Sequence, residues 1–239
     1  MEPFTAVVVR GPGLAKMVNH VYGMDNHVDC FWRVRTPTPA PAPGEPRREK
    51  VPMPSDVFVA HTAESAPPEI RPTVEGVTRK FGHLPSAVAL MAGSPQLLKG
   101  FLAASASFEQ STLGPLEREI VILTVATRNR CHVCVALHTA TLAGLDAPPE
   151  VVEALRSRTP LADTRLEAVR LFTLAVMDRQ GAVDEKEMRA FLDAGHTARN
   201  ALEVVLGVGA YTISTFANRL VDAPLDPQMS AFAWDGGEA

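Results

Sequence analysis

The sequence predicts an all-α protein, and three observations lead there. After residue 60 no stretch alternates apolar and polar residues with the period of two that a half-buried strand requires. Apolar residues recur instead every three or four positions, as on one face of a helix. The runs are separated by Gly, Pro, Ser, Asp and Thr, the residue types that start and stop helices. With 239 residues, 46% of them hydrophobic and 21% charged, the chain can bury a sizeable core.

The elements follow in order. Residues 1–55 read as a Pro-rich, irregular extension, because Thr36 to Pro46 carries prolines too closely spaced for helix or central strand. Within it, Ala6–Val9 is long enough only for a short strand that Gly11-Pro12-Gly13 stops. An all-α domain is expected over 56–223, followed by a tail at 224–239. Its first helix runs from Pro67 to Phe81, with prolines in the first turn and Ile70, Val74, Val77 and Phe81 at helical spacing. A short one spans Pro85–Ala92 and stops at Gly93. Ser94-Pro95 caps a third that reaches Glu109. Gly114-Pro115 opens a fourth, Leu116 to Thr127, apolar on almost every side and therefore buried. Asn129-Arg130 breaks it, and the next helix runs from Cys131 to a C-cap at Gly144. Further helices start at Pro148-Pro149, at Asp163, at Asp184 and at Thr197, the last ending near Leu220.

Composition excludes some classes of function. The formal charge is -4 and the pI about 6.0, with no basic stripe, and aromatics are 6% of the chain. Nucleic acid therefore has neither an electrostatic footprint nor stacking platforms. The runs Ile120–Ala126 and Val204–Ala217 are short, or broken by glycine and polar residues, so no membrane span is expected. The N-terminus has no basic region followed by an apolar one, as a signal peptide would. Three cysteines are too few for a disulfide scaffold, and a CxxC pair in such a chain points to redox or metal chemistry in a reducing, cytoplasmic setting.

The chemistry concentrates in Glu119 to His138. Cys131 and Cys134 are i and i+3; Cys134 and His138 are i and i+4, so one helix face carries all three. Cys131 starts the helix, where free backbone N–H groups and the helix dipole favour a thiolate. His138 can take a proton from the thiol one turn earlier. Glu119 sits in an apolar helix, where a bare carboxylate costs several kcal/mol, so it must be paired. Its partner is His138 in a proton relay, or an arginine such as Arg118, Arg128 or Arg130. Zinc bound by Cys131, Cys134 and His138 lacks the fourth ligand a structural site wants.

Glu119, eleven residues, then Cys131-x-x-Cys134-x-x-x-His138, together with Glu119-Ile-Val-Ile-Leu-Thr-Val-Ala-Thr and Leu137-His-Thr-Ala-Thr-Leu-Ala-Gly144, resembles the alkylhydroperoxidase D-like branch of the carboxymuconolactone decarboxylase superfamily. The resemblance covers roughly residues 60 to 222. It implies an all-α helical bundle that assembles as a homo-oligomer, a trimer or hexamer. It also implies a thiol-dependent peroxidase or disulfide reductase. Cys134 would attack a hydroperoxide, Cys131 would resolve the sulfenic acid, and Glu119 with His138 would relay protons. An external dithiol would restore the pair, and no cofactor or metal is implied. Val133 departs from the pattern, because some members carry a further relay histidine there. His132 stands one position early, about 100° around the helix from Cys131. Two other readings fit: a carboxymuconolactone decarboxylase-like lyase acting on a small acid or lactone, which does not need the thiol pair, and a non-catalytic oligomer that senses redox state. Asn218-Arg219 also looks family-like, although a solvated helix end is the simpler expectation.

Overall fold

The computed structural model describes residues 57–236. The Pro-rich segment, Ala6–Val9 and Cys30 lie outside the described residues. Among the described residues every regular element is helical: α1 (Arg71–Phe81), α2 (Ser86–Met91), α3 (Pro95–Glu109), α4 (Pro115–Arg128), α5 (His132–Gly144), α6 (Pro149–Ser157), α7 (Thr164–Asp178), α8 (Glu185–Asp193) and α9 (Ala198–Leu220), then a 3-10 turn at Pro227–Phe232.

Local chemistry sets most of these boundaries. Ser94, Asp163, Asp184 and Thr197 each accept a backbone N–H from the first turn of the helix they precede. Two boundaries differ from expectation. Helix α1 starts at Arg71, because Pro67 is spent in a turn that accepts Ile70 N–H at 3.0 Å. Gly144 is the last helical residue of α5, and Asp146, at φ 53°, takes the left-handed conformation beyond it.

Helix α4 forms the middle of the bundle. Every residue from Glu119 to Thr127 is buried, as its all-round apolar pattern requires. It packs on α5, α6, α7 and α9, and α9 also packs on α3 and α7. Gly207 permits the close approach of α9, since a Cβ there would lie 2.7 Å from Phe108 Cε2 and 2.9 Å from Val121 Cγ1. Gly209 faces open space, so only the first of the two glycines serves packing. At 23 residues, α9 is long and apolar enough to pass a length-and-composition test for a membrane span. Much of it is buried inside the bundle, as befits a core helix.

Residues 224–236, set apart by sequence as part of a tail, lie against α5 and α6. Arg156 donates to the carbonyls of Phe232 and Ala233, at 3.1 and 2.7 Å, and receives Trp234 Nε1–H on its own carbonyl at 3.1 Å. Asp226 accepts the first N–H of α2, from Ser86, at 3.1 Å.

Candidate active site

The site forms where α4, α5 and α9 meet. Helix α4 ends in a Schellman turn: Cys131 N–H donates to Ala126 O at 3.0 Å and Arg130 N–H to Thr127 O at 3.2 Å. Arg130 adopts the left-handed conformation of that turn, at φ 55°. Cys131 is at once the N-cap of α5, accepting Val135 N–H on its carbonyl at 2.9 Å. The same residue closes one helix and opens the next, which fixes its sulfur at the amino end of α5.

Cys134 lies one turn further along. The two free thiols are 1% and 3% exposed, and their sulfurs share a hydrogen bond of 2.8 Å. Helix α9 covers them. Asn218 Nδ2 donates to Cys134 Sγ at 3.3 Å, and Ser214 Oγ lies 3.7 Å from the same sulfur. This end of α9 is fastened to the α4–α5 corner: Arg219 donates to Asn129 O at 2.7 Å, and Asn129 Nδ2 to Thr215 Oγ1 at 3.0 Å.

These contacts separate the two thiols. The bond shared with Cys134 holds the Cys131 thiol below its ordinary pKa against the cost of burial, aided by Cys134 N–H, the Asn218 amide and the Arg219 charge. The same bond, then burial and the charge on Cys131, push Cys134 well above its ordinary value. Of the two, Cys131 is the more acidic thiol, as its place at the helix start leads one to expect.

Glu119 pairs with His138, Oε2 to Nδ1 at 2.8 Å, with side chains 11% and 13% exposed. Two of the three arginine alternatives are engaged elsewhere, Arg128 on Asp178 at 2.7 Å and Arg118 on the Leu113 carbonyl. His138 makes no hydrogen bond to either thiol, contrary to what the i, i+4 spacing suggests. Its ring turns across the α4–α5 interface instead, where a charge-assisted bond to a carboxylate outweighs one to a weak thiol acceptor. The ring also meets Tyr211 edge-on, with centroids 5.2 Å apart. Burial pushes the Tyr211 phenol up to about 12, and its hydroxyl lies 3.2 Å from Ser105 Oγ. Among the described residues no three His, Cys, Asp or Glu side chains gather as metal ligands would. His132 is exposed and Val133 buried, so His132 does not stand in for a relay histidine beside Cys134.

Four of the site's side chains are those the spacing singled out: Glu119, Cys131, Cys134 and His138. Tyr211 and Ser214 were not singled out, and Asn218, expected at a solvated helix end, is 5% exposed. A signal for them does exist. Gly207, Tyr211, Ser214 and Asn218 follow one another at helical spacing on the buried face of α9, so three polar residues occupy apolar positions.

The model of the Carboxymuconolactone decarboxylase family matches residues 92–176, a segment containing Glu119, Cys131, Cys134 and His138. Over that segment, about a third of its length, the chain is similar to the carboxymuconolactone decarboxylase family. Its fold is shared with the alkylhydroperoxidase AhpD core of a peroxidase-related protein from Ralstonia eutropha JMP134, at TM-score 0.65 and 20% identity over 78% of this chain and 99% of that one. A peroxidase-related protein from Silicibacter sp. TM1040 superposes at 0.59, with 21% identity over 69% and 88%. The debrominase Bmp8, bound to 2,3,4-tribromopyrrole, superposes at 0.60, with 15% identity over 75% and 96%. No curated protein sequence matches. The shared feature is the helical fold, in which the amino end of α5 presents the thiol pair.

Proposed function

We propose that this chain is a member of the superfamily and a thiol-dependent oxidoreductase that reduces hydroperoxides, cycling Cys131 and Cys134 between dithiol and disulfide. The observation that carries the reading is the thiol pair itself: two buried sulfurs 2.8 Å apart, one held more acidic than the other, beside a Glu119–His138 pair. Cys134 attacks the outer peroxide oxygen. An S–O bond forms, the O–O bond breaks, and the organic fragment leaves as an alcohol once protonated. Cys131 then attacks the Cys134 sulfenic acid; an S–S bond forms and water departs. The sum is two thiols and one hydroperoxide giving a disulfide, an alcohol and water. An external dithiol reduces the disulfide by thiol exchange.

Attack by Cys134 requires its proton to move first. Two routes support this: across the short contact to Cys131, or to His138 through an intervening molecule. Glu119 occupies Nδ1 of that imidazole, which leaves Nε2 as the basic nitrogen. A reduced resting pair fits the cytoplasm. Self-association fits the exposed apolar row Leu202, Val205, Phe216 and Leu220 on the outer side of α9.

Peroxide consumption with a dithiol donor tests the proposal, together with the intact mass after peroxide treatment. Wild type should turn over and lose two hydrogens, and Cys134→Ser should do neither. Trapping of sulfenic acid should label Cys134 in the Cys131→Ser variant. Equal turnover by wild type and Cys134→Ser would sink the mechanism, and faster labelling of Cys131 in Cys134→Ser would exchange the two roles. Light scattering on the full chain should show an oligomer, and a monomer would remove that part of the reading.

A further inference from the structure

The buried polar groups of α9 are not all accounted for by the steps above. Asn218 is 5% exposed, and its Nδ2 reaches Cys134 Sγ at 3.3 Å, yet its Oδ1 is fully buried and has no hydrogen-bond partner among the described residues. A buried carbonyl oxygen left without a donor is costly and rarely retained without a reason. The side chain has little freedom to escape, because Thr215 and Arg219 fasten the helix on either side of it to Asn129.

We propose that Asn218 is the positioning residue of the thiol pair: its amide N–H holds the Cys134 sulfur, and its unpartnered oxygen receives the hydroxyl of that sulfur once it is oxidised. The inference rests on the redox reading above and extends it to a residue outside the Glu-Cys-Cys-His set. An amide suits the task because it both donates and accepts. Against a thiolate, Nδ2–H donates. Against the sulfenic acid of Cys134, the S–O–H group donates to Oδ1 while Nδ2 stays at the sulfur. The acid is thereby held in place until Cys131 attacks it. Ser214, one turn earlier and 3.7 Å from the same sulfur, lends a second hydroxyl to that side.

Two near-isosteric variants separate the functions. Asn218→Asp keeps the acceptor and loses the donor; Asn218→Leu loses both. The readouts are the pH dependence of thiol alkylation, mapped to each cysteine by mass, and the rate of sulfenic acid formation with tert-butyl hydroperoxide. Folding is checked by circular dichroism. Both variants should shift the alkylation profile at least one pH unit upward, Asp more than Leu. Both should form the sulfenic acid at least ten-fold more slowly. In a Cys131→Ser background the Asn218→Leu sulfenic acid should also decay faster. Should Asp at this buried position prevent folding, Leu alone carries the test. Wild-type profiles and rates in a folded Asn218→Leu protein would overturn the inference. The alkylation profile needs no turnover, so it judges Asn218 even if peroxide proves not to be the substrate. Absence of any disulfide in oxidised wild type would instead fault the redox reading.

Discussion

Replacing Gly207 by alanine tests how the core supports the site. A methyl group on this residue would lie 2.7 Å from Phe108 Cε2 and Cζ, and 2.9 Å from Val121 Cγ1. Real carbon contacts lie near 3.5–4.0 Å, so the intrusion is close to 1 Å on two sides. Phe108 and Val121 are both 0% exposed, and neither has space to retreat into. Overpacking of this kind costs about 1–3 kcal/mol, and confinement on both sides argues for the upper half of that range. Alanine returns about 1 kcal/mol through its helix propensity. The net loss is about 1–2 kcal/mol, or a fall in Tm of roughly 2–8 °C for a domain of this size. Gly209, two residues on, is the control: with nothing within 4 Å of its Cβ position, alanine there should raise Tm by up to about 4 °C. Displacing Phe108 should also be felt in the site, because its ring meets Tyr211 edge-on at 6.1 Å, and Tyr211 meets His138 at 5.2 Å. Thermal unfolding of both variants decides the matter. If Gly207→Ala is as stable as wild type, the close approach of α9 to α3 and α4 is not tight, and the argument fails.

Other expectations concern the site and its supports. Glu119→Gln removes a charge-assisted bond between two nearly buried side chains, a change of about 1.5–3 kcal/mol. The single-turnover rate should therefore fall roughly ten- to hundred-fold, with the fold retained by circular dichroism. The Tyr211 phenol ionises near 10 in the unfolded chain and near 12 in the folded protein. The folded state keeps a proton that the unfolded state releases, so the stabilisation is full below pH 10 and is lost between pH 10 and 12. Denaturant melts over that interval should show a decline of about 2 kcal/mol, and Tyr211→Phe should flatten it. Arg130→Gly relieves a left-handed residue at the α4–α5 corner. It should raise stability by up to about 1 kcal/mol, and an unchanged or lower denaturation midpoint would count against strain there.

Much of this architecture was legible because its causes are local. A cap acts through side-chain atoms within three residues of the helix start, so Ser94, Asp163, Asp184 and Thr197 announced α3, α7, α8 and α9. The burial of α4 was legible for the same kind of reason, since a helix apolar on every side has nowhere else to go. The relay pair was legible as composition but not as geometry. Spacing along α5 placed His138 near Cys134, while its actual partner lies on α4, and the choice between them depends on how two helices cross. His196 shows the same limit. In sequence it is a loop residue before a cap; in the fold it is 5% exposed and stacks on Phe191 at 4.4 Å, with Nε2 3.1 Å from the Arg165 carbonyl oxygen. Asn218 was legible only as an oddity near a helix end, because the surface it meets is contributed by a segment 84 residues earlier.

The corner at Cys131 has a consequence for chain entropy. A bond between Cys131 and Cys134 would close a span of four residues, already wound into the first turn of α5. Such a short crosslink restricts the unfolded chain by only about 2 kcal/mol, against about 4.7 kcal/mol for a hundred-residue loop. Oxidation would therefore shift the folding equilibrium by less than half of what a long-loop crosslink does. The bond is confined to one turn at the amino end of α5, so closing it asks for no rearrangement of distant parts of the chain.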